Sequence, residues 1–265
     1  MTRRSPQITA MINAAIKCAR GLQRDFGEVE NLQVSKKGPA NFVSAADIQA
    51  EKVLYAELSR ARPDYGFLLE ESGVIEGRDT KSRWIIDPLD GTTNFLHGIP
   101  HFAISIGLER AGRVVAGVIY DPLRNELFWA EDGIGAFLND HRLRVSARDE
   151  LGDAVVGTGM PFKGRETHPD YGDQLDRIMS QIAGIRRMGS AALDLAYVAA
   201  GRYDGFWEYS LSPWDIAAGM ILVTEAGGLI NEIGGGRDPL ASGDVIATNG
   251  RLHEPISRLI ENRGR

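Results

Sequence analysis

The sequence contains one cysteine and no long apolar run. Cys18 is the only cysteine among 265 residues, so no disulfide can form within the chain, and its apolar neighbours predict a small buried side chain rather than a reactive thiol. No apolar stretch approaches the roughly 20 residues that a membrane-spanning helix needs. Gln7, Asn13 and Lys17 also interrupt the apolar region that a signal peptide would require. These absences predict a soluble protein of the cytoplasm.

Basic residues and flexible linkers are scarce as well. Lys and Arg number 30 against 36 Asp and Glu, giving a net charge of −6, which argues against a nucleic-acid backbone as the main partner. The short basic clusters at 141–144 and 185–187 are interpreted as solvated faces. No segment rich in proline, glycine or serine divides the chain, and its 43% hydrophobic content can fill a substantial core. We expect one compact globular unit.

The pattern of apolar residues in the first part of the chain predicts helices followed by strands. In order, it predicts a long amphipathic helix from Ile8 to near Gly27, a helix after Ser44, strands at 67–71 and 83–87, and an antiparallel meander over 102–145. Such a succession is typical of an α+β arrangement.

From about residue 150 the pattern alternates between short strands and helices. The helices are predicted at 169–182, 190–200, 214–226 and 252–261. This alternation is typical of an α/β arrangement. The sequence therefore predicts a single domain over 1–265 with two subdomains, about 1–145 and 146–265, and a seam within 140–155.

One short segment combines a buried strand with two closely spaced acids. Residues 83–95 read RWIIDPLDGTTNF. The segment predicts a strand that ends at Asp87, a turn through 88–89, and a second acid at Asp90. Both carboxylates would then point at one place.

A helix could begin immediately after these acids. Its first free amides, from Gly91, Thr92 and Thr93, would face the same place, and helix N-termini bind phosphate through oriented N–H groups and the macrodipole. Oxygen ligands beside such amides suit a hard cation such as magnesium that bridges protein and phosphate. The alternative interpretation makes Asp87 a strand-end acid, Asp90 a turn residue and Thr92 a helix cap.

Further acidic positions shift the balance towards metal and phosphate chemistry. Glu70 and Glu71 close the apolar strand FLLEE, and Asp215 lies in PWDIAAG at the start of a largely buried helix. Asp215 could instead cap that helix, and Asp47, three residues after Ser44, occupies a capping-box-like position. Taken together with the preceding segment, the metal interpretation is favoured.

Three blocks of the sequence resemble a known family. They are WIIDPLDGTTNF, the upstream EES and the downstream WDIAAGMILVTEAGG, and they resemble the inositol monophosphatase family of magnesium-dependent, lithium-sensitive sugar phosphatases, most of all its bacterial members. The resemblance extends from about Ile8 to the C-terminal helix. It implies a homodimer and a layered αβαβα sandwich, with α+β and α/β parts, of the inositol monophosphatase and fructose-bisphosphatase type.

The resemblance assigns the acids to metal sites. It implies a first magnesium ion held by Glu70, Asp87 and the main-chain carbonyl of Leu89. It implies a second held by Asp87, Asp90 and Asp215, while Glu70 also borders a weaker third site. Two or three Mg²⁺ ions would roughly balance four ionised carboxylates and a phosphate dianion, which together carry about six negative charges.

The resemblance also assigns the remaining site residues. Glu70 and Thr92 are expected to orient the attacking water, and Asp47 to hydrogen-bond Thr92. The expected substrate-binding residues are Asp90, Gly91, Thr92, Gly189, Ser190, Ala191, Glu208 and Asp215. An in-line attack of water on phosphorus would follow, without a covalent enzyme intermediate.

The implied reaction is hydrolysis of a small polyol phosphate, most simply inositol 1-phosphate, to inositol and phosphate. Fructose-1,6-bisphosphatase, histidinol-phosphatase and 3'(2'),5'-bisphosphate nucleotidase activities stay open, although Thr93 counts against a nucleotide because the related nucleotidases carry lysine there. The loop at 161–170 is expected to influence this choice. A regulatory binding protein that keeps the fold without catalysis is an alternative of another class, and the complete set of acids argues against it.

Overall fold

The structure, a computed structural model, describes residues 4–28, 34–36, 42–161 and 171–261. Its helices are α1 (Pro6–Phe26), α2 (Ala45–Ala61), α3 (Thr92–Leu96), α4 (Tyr171–Met179), α5 (Ala191–Ala199), α6 (Pro213–Glu225), α7 (Pro239–Ser242) and α8 (His253–Glu261). Its strands are β1 (Val34–Lys36), β2 (Phe42–Ser44), β3 (Tyr65–Leu69), β4 (Gly73–Ile75), β5 (Asp79–Asp90), β6 (Ala103–Arg110), β7 (Arg113–Asp121), β8 (Glu126–Glu131), β9 (Gly135–Leu138), β10 (His141–Arg142), β11 (Val155–Thr158), β12 (Gly184–Arg186), β13 (Gly205–Glu208), β14 (Leu229–Glu232) and β15 (Val245–Thr248). The loop predicted to influence substrate choice lies outside these ranges from residue 162 to 170.

Helix α1 matches its predicted extent because its sequence supplies both ends. The Ser5 hydroxyl accepts a hydrogen bond from the Ile8 N–H at 3.3 Å, and Pro6 occupies the first turn, where its missing N–H does no harm. The helix ends before Gly27. Its buried face includes Cys18, which confirms the core interpretation, and burial raises the pKa of this thiol to about 12.

The larger sheet has the strand order β10-β9-β8-β7-β6-β5-β3-β4. Strands β5 to β10 pair with their successive neighbours in antiparallel register, which confirms the predicted meander. Strand β3 runs parallel to β5, and β4 pairs antiparallel with β3 at the edge. The candidate acids of β5 therefore lie in an inner strand of this sheet.

Two predicted strand ends are wrong. The strand predicted to end at Asp87 continues through a β-bulge to Asp90, because Pro88 has no N–H for the ladder and the chain bulges there without leaving the sheet. The strand predicted at 67–71 ends at Leu69, where a turn leads into antiparallel β4. Both acidic segments thus lie where regular strand pairing is interrupted.

The smaller sheet has the strand order β12-β11-β13-β15-β14. Strand β11 runs parallel to β12 and β13, whereas β13, β15 and β14 are antiparallel. The chain passes between the sheets from Arg142 to Val155, within the predicted seam, while the division into subdomains stays a prediction. Helix α4 ends at Met179, earlier than the predicted 169–182, of which 169–170 lie outside the described residues.

The helices and sheets form alternating layers. Helices α1 and α2 cover one face of the larger sheet, α5 and α6 lie between the two sheets, and α4 and α8 pack on the outer face of the smaller sheet. This arrangement confirms the predicted αβαβα sandwich. No helix within the described ranges is apolar over a length sufficient to cross a membrane.

Small residues let α6 approach the larger sheet closely. A Cβ atom at Gly107 would lie 2.8 Å from the Ala217 Cβ, and one at Gly117 would lie 2.7 Å from the Ala218 carbonyl oxygen. Both distances are shorter than packed side chains allow, so only glycine fits at either position. The start of α6 is thereby held against β6 and β7.

A side-chain hydrogen bond fixes the start of α6 along the sheet. Ser105 of β6 lies opposite Asp87 of β5 in the ladder. Its hydroxyl donates to the main-chain carbonyl of Trp214 at 3.1 Å. Because Trp214 directly precedes Asp215, this contact brings Asp215 to the acidic end of β5.

Candidate active site

Three carboxylates from distant parts of the sequence meet at the end of β5. Asp87, Asp90 and Asp215 each offer an oxygen atom that lies within 4.8 Å of the other two. Asp87 and Asp90 are buried, and Asp215 is half-buried. The structure therefore brings together three of the acids that the sequence singled out, whereas their role as metal ligands stays a prediction.

The bulge in β5 fixes the direction of Asp87. Its Oδ1 accepts a hydrogen bond from the Leu89 N–H at 2.8 Å, which closes a local turn across Pro88. The Leu89 carbonyl in turn accepts a hydrogen bond from the Thr92 hydroxyl at 3.0 Å. These two contacts order the segment from Asp87 to the first turn of α3.

Asp90 is held by the N-terminus of α5. Its Oδ2 accepts hydrogen bonds from the Ser190 hydroxyl at 2.6 Å and from the Ala192 N–H at 2.7 Å, and the Ala191 N–H contributes a further one. Ser190 is buried and also caps α5 through the Leu193 N–H. In this structure Ser190 therefore contacts Asp90, an arrangement that spacing along the sequence did not predict.

Two glycine turns and one asparagine hold the segments around Asp90. Gly91 has a φ of 99°, and a Cβ there would lie 3.0 Å from the His101 carbonyl oxygen. Gly189 has a φ of 87°. The buried Asn94 amide donates to the carbonyls of His101 and Met188, each at 2.8 Å. Asn94 thus joins α3 to the segment before α5.

Asp215 both caps a helix and belongs to the acidic cluster. The two interpretations of this residue from the sequence, as a helix cap and as a cluster acid, are therefore compatible. Its Oδ2 accepts a hydrogen bond from the Ser212 N–H at 2.8 Å, and together they form a capping box at the start of α6. Asp215 is also a member of the acidic cluster. The cap restricts the side chain to the position from which it faces β5.

Glu70 lies beside the three aspartates. Its carboxyl group is hydrogen-bonded to that of Asp87. Burial, and then the charges of Asp215 and Asp47, raises the pKa of Glu70 to about 8. Asp47 is itself buried on the first turn of α2. The structure therefore brings the predicted water-orienting acid and the predicted threonine-partner acid to the same cluster.

The aspartates of β5 are also strongly perturbed. Burial raises the pKa of Asp87 well above its ordinary value, and the charges of Glu70, Asp90 and Asp215 add to the rise. Burial and Asp215 raise the pKa of Asp90 to about 7, although the hydrogen bonds from α5 oppose the shift. Among the described residues, none of the largest contributions to either shift comes from a cation.

These observations fit a bound divalent cation. Buried carboxylates without a countercharge are unfavourable when ionised, and a set of oxygen donors is the kind of site that Mg²⁺ prefers. The donor set and its electrostatics therefore match a hard metal ion better than they match a purely structural acid cluster.

Strand β13 of the smaller sheet and helix α5 contribute two further acids near the cluster. Glu208, at the end of β13, is half-buried, and a Cβ at Gly159 would lie 1.8 Å from its carboxyl carbon. Asp194 of α5 is buried, and burial followed by the charges of Glu208 and Asp90 raises its pKa, which Arg187 opposes. Asp194 was not predicted, although an acid inside the apolar run AALDLAYVAA was a visible signal.

Comparisons with known proteins give consistent results. A model described as the inositol monophosphatase family matches residues 4–265. The inositol-1-monophosphatase of Mesorhizobium japonicum is 57% identical over 258 residues, which cover 97% of each chain. The Nus factor SuhB of Escherichia coli is 43% identical over 247 residues, 93% of this chain and 92% of the relative. The crystal structure of extragenic suppressor protein suhB from Bartonella henselae matches with a TM-score of 0.94 and 54% identity, covering 98% of this chain and 100% of that one.

These similarities extend over almost the entire chain and agree with the layered fold. They also confirm the resemblance carried by the three sequence blocks, two of which supply the acids of the cluster. The chain belongs to the inositol monophosphatase family.

Proposed function

We propose that this chain is a magnesium-dependent phosphomonoesterase that hydrolyses inositol 1-phosphate to inositol and inorganic phosphate. The observation that carries the proposal is the convergence of Asp87, Asp90 and Asp215, with Glu70 beside them, at one buried place. Its family is a phosphatase family, and the relative from Mesorhizobium japonicum is named an inositol-1-monophosphatase.

The acids are proposed to hold the metal ions. The proposed donors are the carboxylates of Glu70, Asp87, Asp90 and Asp215 and the main-chain carbonyl of Leu89. When bound there, magnesium ions would lower the pKa of a water molecule, polarise the phosphoryl oxygens and stabilise the leaving alkoxide. The raised pKa values of Glu70 and Asp90 support this proposal, because a cation would allow these groups to ionise together.

The substrate is proposed to lie between β5 and the smaller sheet. Its phosphate would contact the amides of Gly91 and Thr92, which follow the acids directly. Its hydroxyl groups would contact the side chains of Asp90, Glu208 and Asp215 and the main chain at Gly189 and Ala191. Ser190 would act on the substrate through Asp90, because its hydroxyl already donates to that carboxylate.

Protein groups are proposed to orient the attacking water. Glu70 and Thr92 would hold the water in line with the bond between phosphorus and the leaving oxygen, and Asp47 would orient Thr92. The electrostatic effect of Asp47 on Glu70 supports the placing of Asp47 at this cluster. In the structure the Thr92 hydroxyl donates to the Leu89 carbonyl, so orientation by Asp47 would require this hydroxyl to turn away from Leu89. Direct attack requires no nucleophilic serine or cysteine, which agrees with the buried position of Cys18 in α1.

A phosphate-release assay tests the proposed function. Purified protein is incubated with inositol 1-phosphate at increasing Mg²⁺ concentrations and then with Li⁺ added. We expect release that requires Mg²⁺ and is inhibited by Li⁺. Parallel reactions with fructose 1,6-bisphosphate, histidinol phosphate and a 3',5'-bisphosphate nucleotide rank the substrates. No release from inositol 1-phosphate at any Mg²⁺ concentration would contradict the proposal.

A binding role alongside catalysis is a second candidate. It is favoured by the 43% identity to a protein named a Nus factor. The Asp87→Asn variant separates the two roles, because it removes an acid of the cluster and leaves the surface unchanged. If partners captured by the wild-type protein are retained by this variant while turnover is lost, binding does not depend on catalysis.

We also propose that the protein forms a homodimer and that it is located in the cytoplasm. Light scattering during size-exclusion chromatography should give twice the 28.9 kDa mass of one chain. A mass equal to one chain over a broad concentration range would contradict the dimer.

A further inference from the structure

Glu70 lies in a turn that the sheet does not hold. Strand β3 ends at Leu69 and β4 begins at Gly73, and these two residues pair with each other across the turn. Residues 70–72 therefore lie outside the ladder of backbone hydrogen bonds. The position of the Glu70 carboxylate must depend on contacts from elsewhere.

Those contacts come from Glu51 of α2. Its Oε2 accepts a hydrogen bond from the Glu71 N–H at 2.9 Å, and its Oε1 accepts one from the Ser72 hydroxyl at 2.5 Å. Glu51 is only 4% exposed, although glutamate is rarely buried without a partner. Both of its oxygens are thus used by the two residues that directly follow Glu70.

The chemistry of Glu51 distinguishes it from the acids of the cluster. Its two oxygens accept hydrogen bonds from uncharged donors, a main-chain N–H and a hydroxyl. It lies four residues after Asp47, so both acids share one face of α2. Asp47 acts on Glu70 through its charge, whereas Glu51 acts on the neighbouring main chain through hydrogen bonds.

We propose that Glu51 is a positioning residue that fixes the 70–72 turn and so directs Glu70 towards Asp87. This inference rests on the proposed function, in which Glu70 binds metal. Site geometry must be held within about 0.5 Å by supporting contacts, and partners that orient metal ligands typically change metal affinity by about 10-fold to 100-fold. Glu51 is therefore required for metal affinity without touching substrate or metal.

Direct Mg²⁺ binding in the absence of substrate is the first test. Isothermal titration compares the wild-type protein with Glu51→Ala, which loses both hydrogen bonds. We expect the variant to bind Mg²⁺ about 10-fold to 100-fold more weakly. Hydrogen–deuterium exchange of the Glu71 amide should also become faster, because this amide loses its acceptor.

The Glu51→Gln variant separates positioning from charge. Its amide oxygen can accept from the Glu71 N–H, and its amide nitrogen can donate to the Ser72 oxygen. We therefore expect Mg²⁺ affinity and exchange of the Glu71 amide to return close to the wild-type values. An equal defect in Glu51→Gln and Glu51→Ala would contradict a role through hydrogen bonding.

Two further variants keep the test decisive if Glu51→Ala fails to fold. Ser72→Ala changes an exposed side chain and removes one of the two hydrogen bonds, so it should weaken Mg²⁺ binding by a smaller factor. Glu57→Ala is the matched control on α2, because its carboxylate contacts Lys17 and Arg60 at the surface. It should bind Mg²⁺ like the wild-type protein.

The outcomes separate this inference from the proposed function. A wild-type protein that binds Mg²⁺ but releases no phosphate contradicts the proposed reaction, and the affinity comparison among variants still decides the role of Glu51. Wild-type affinity in both Glu51→Ala and Ser72→Ala overturns the role of Glu51, whatever the phosphate assay shows.

Discussion

The two sides of the candidate site differ in the charged groups that surround their acids. On the side of the larger sheet, the half-buried Glu70 and the buried Asp87 lie among other acids that raise their pKa values. On the side of the smaller sheet, Arg187 opposes the rise in the pKa of Asp194, and Glu208 is half-exposed. Under the proposed function, the acids of the first side would need an added cation in order to ionise together, whereas those of the second side would accept hydrogen bonds from the substrate hydroxyl groups.

This difference assigns separate properties to the two sides. Changes at the larger sheet should affect metal binding and its dependence on pH. Changes at the smaller sheet should affect substrate affinity and leave metal binding intact. Helix α6 carries Asp215 and lies between both sheets. A substitution that displaces this helix should therefore lower the free energy of unfolding of the whole chain.

The Asp90→Asn substitution should have the largest effect. It removes a proposed metal ligand, and several kcal/mol of charge stabilisation in the transition state would be lost. At about 1.4 kcal/mol per factor of ten, turnover of inositol 1-phosphate should fall about 10³-fold. The fold should persist, because the asparagine oxygen can still accept from Ser190 and Ala192. An active Asp90→Asn enzyme, with circular dichroism unchanged, would remove the second metal from the account.

Acidification should weaken metal binding on the larger-sheet side. Protons compete with Mg²⁺ for Glu70, with a pKa of about 8, and for Asp90, with a pKa of about 7. Affinity measured by titration calorimetry should therefore fall about 100-fold from pH 8 to pH 6. A pH-independent affinity would show that these carboxyl groups are not the ligands.

The folding stability of the metal-free protein should rise on acidification, whereas the affinity for Mg²⁺ falls. A carboxyl group whose pKa is higher in the folded protein than in the unfolded chain binds its proton first in the folded state, so falling pH favours folding. The raised pKa values of Glu70 and Asp90 place this gain between about pH 8 and pH 5. Thermal denaturation in a chelator should give a higher Tm at pH 6 than at pH 8.

The Gly159→Ala substitution tests the smaller-sheet side. The new Cβ would overlap the Glu208 carboxyl group and should disturb the hydrogen bond that we propose it accepts from the substrate, worth about 1.5–3 kcal/mol. We expect kcat/KM for inositol 1-phosphate to fall about 10-fold to 100-fold, with Mg²⁺ affinity unchanged. A change confined to Mg²⁺ affinity would contradict the division of the site into two sides.

The smallest effect is expected from Gly107→Ala beneath α6. Overpacking against Ala217 should reduce the free energy of unfolding by about 1–3 kcal/mol. For a chain of this size, each kcal/mol lowers Tm by about 2–4 °C. Gly21→Ala in α1 is the control, because nothing lies within 4 Å of its new Cβ. An unchanged Tm in Gly107→Ala would show that α6 can move away from β6 without a loss of folding stability.

Local patterns explain which parts of the fold were predictable. Helix α1 and the meander of β6 to β8 follow from periodicity and turn residues that lie within each element. The continuation of β5 to Asp90 did not follow, because the bulge depends on pairing with β6. The end of β3 at Leu69 likewise depends on β4, which the sequence pattern did not predict.

The sequence predicted those site residues that lie close together along the chain and those that the family resemblance assigns. Asp87 and Asp90 stand out in one segment, whereas the approach of Asp215 depends on glycines of the sheet and on Ser105. Asn94 and Glu51 were missed because their partners lie far along the chain or in another element. A buried polar residue on an otherwise apolar face is the signal that could have found both.

The central claim is that Asp87, Asp90 and Asp215 hold divalent cations together. Crystals grown with Mn²⁺, which gives anomalous scattering and replaces Mg²⁺ at oxygen-rich sites, test it directly. We expect an anomalous peak between these three carboxylates and a second one near Glu70 and the Leu89 carbonyl. Density only on the surface, with the three aspartates free of metal at millimolar Mn²⁺, would contradict it.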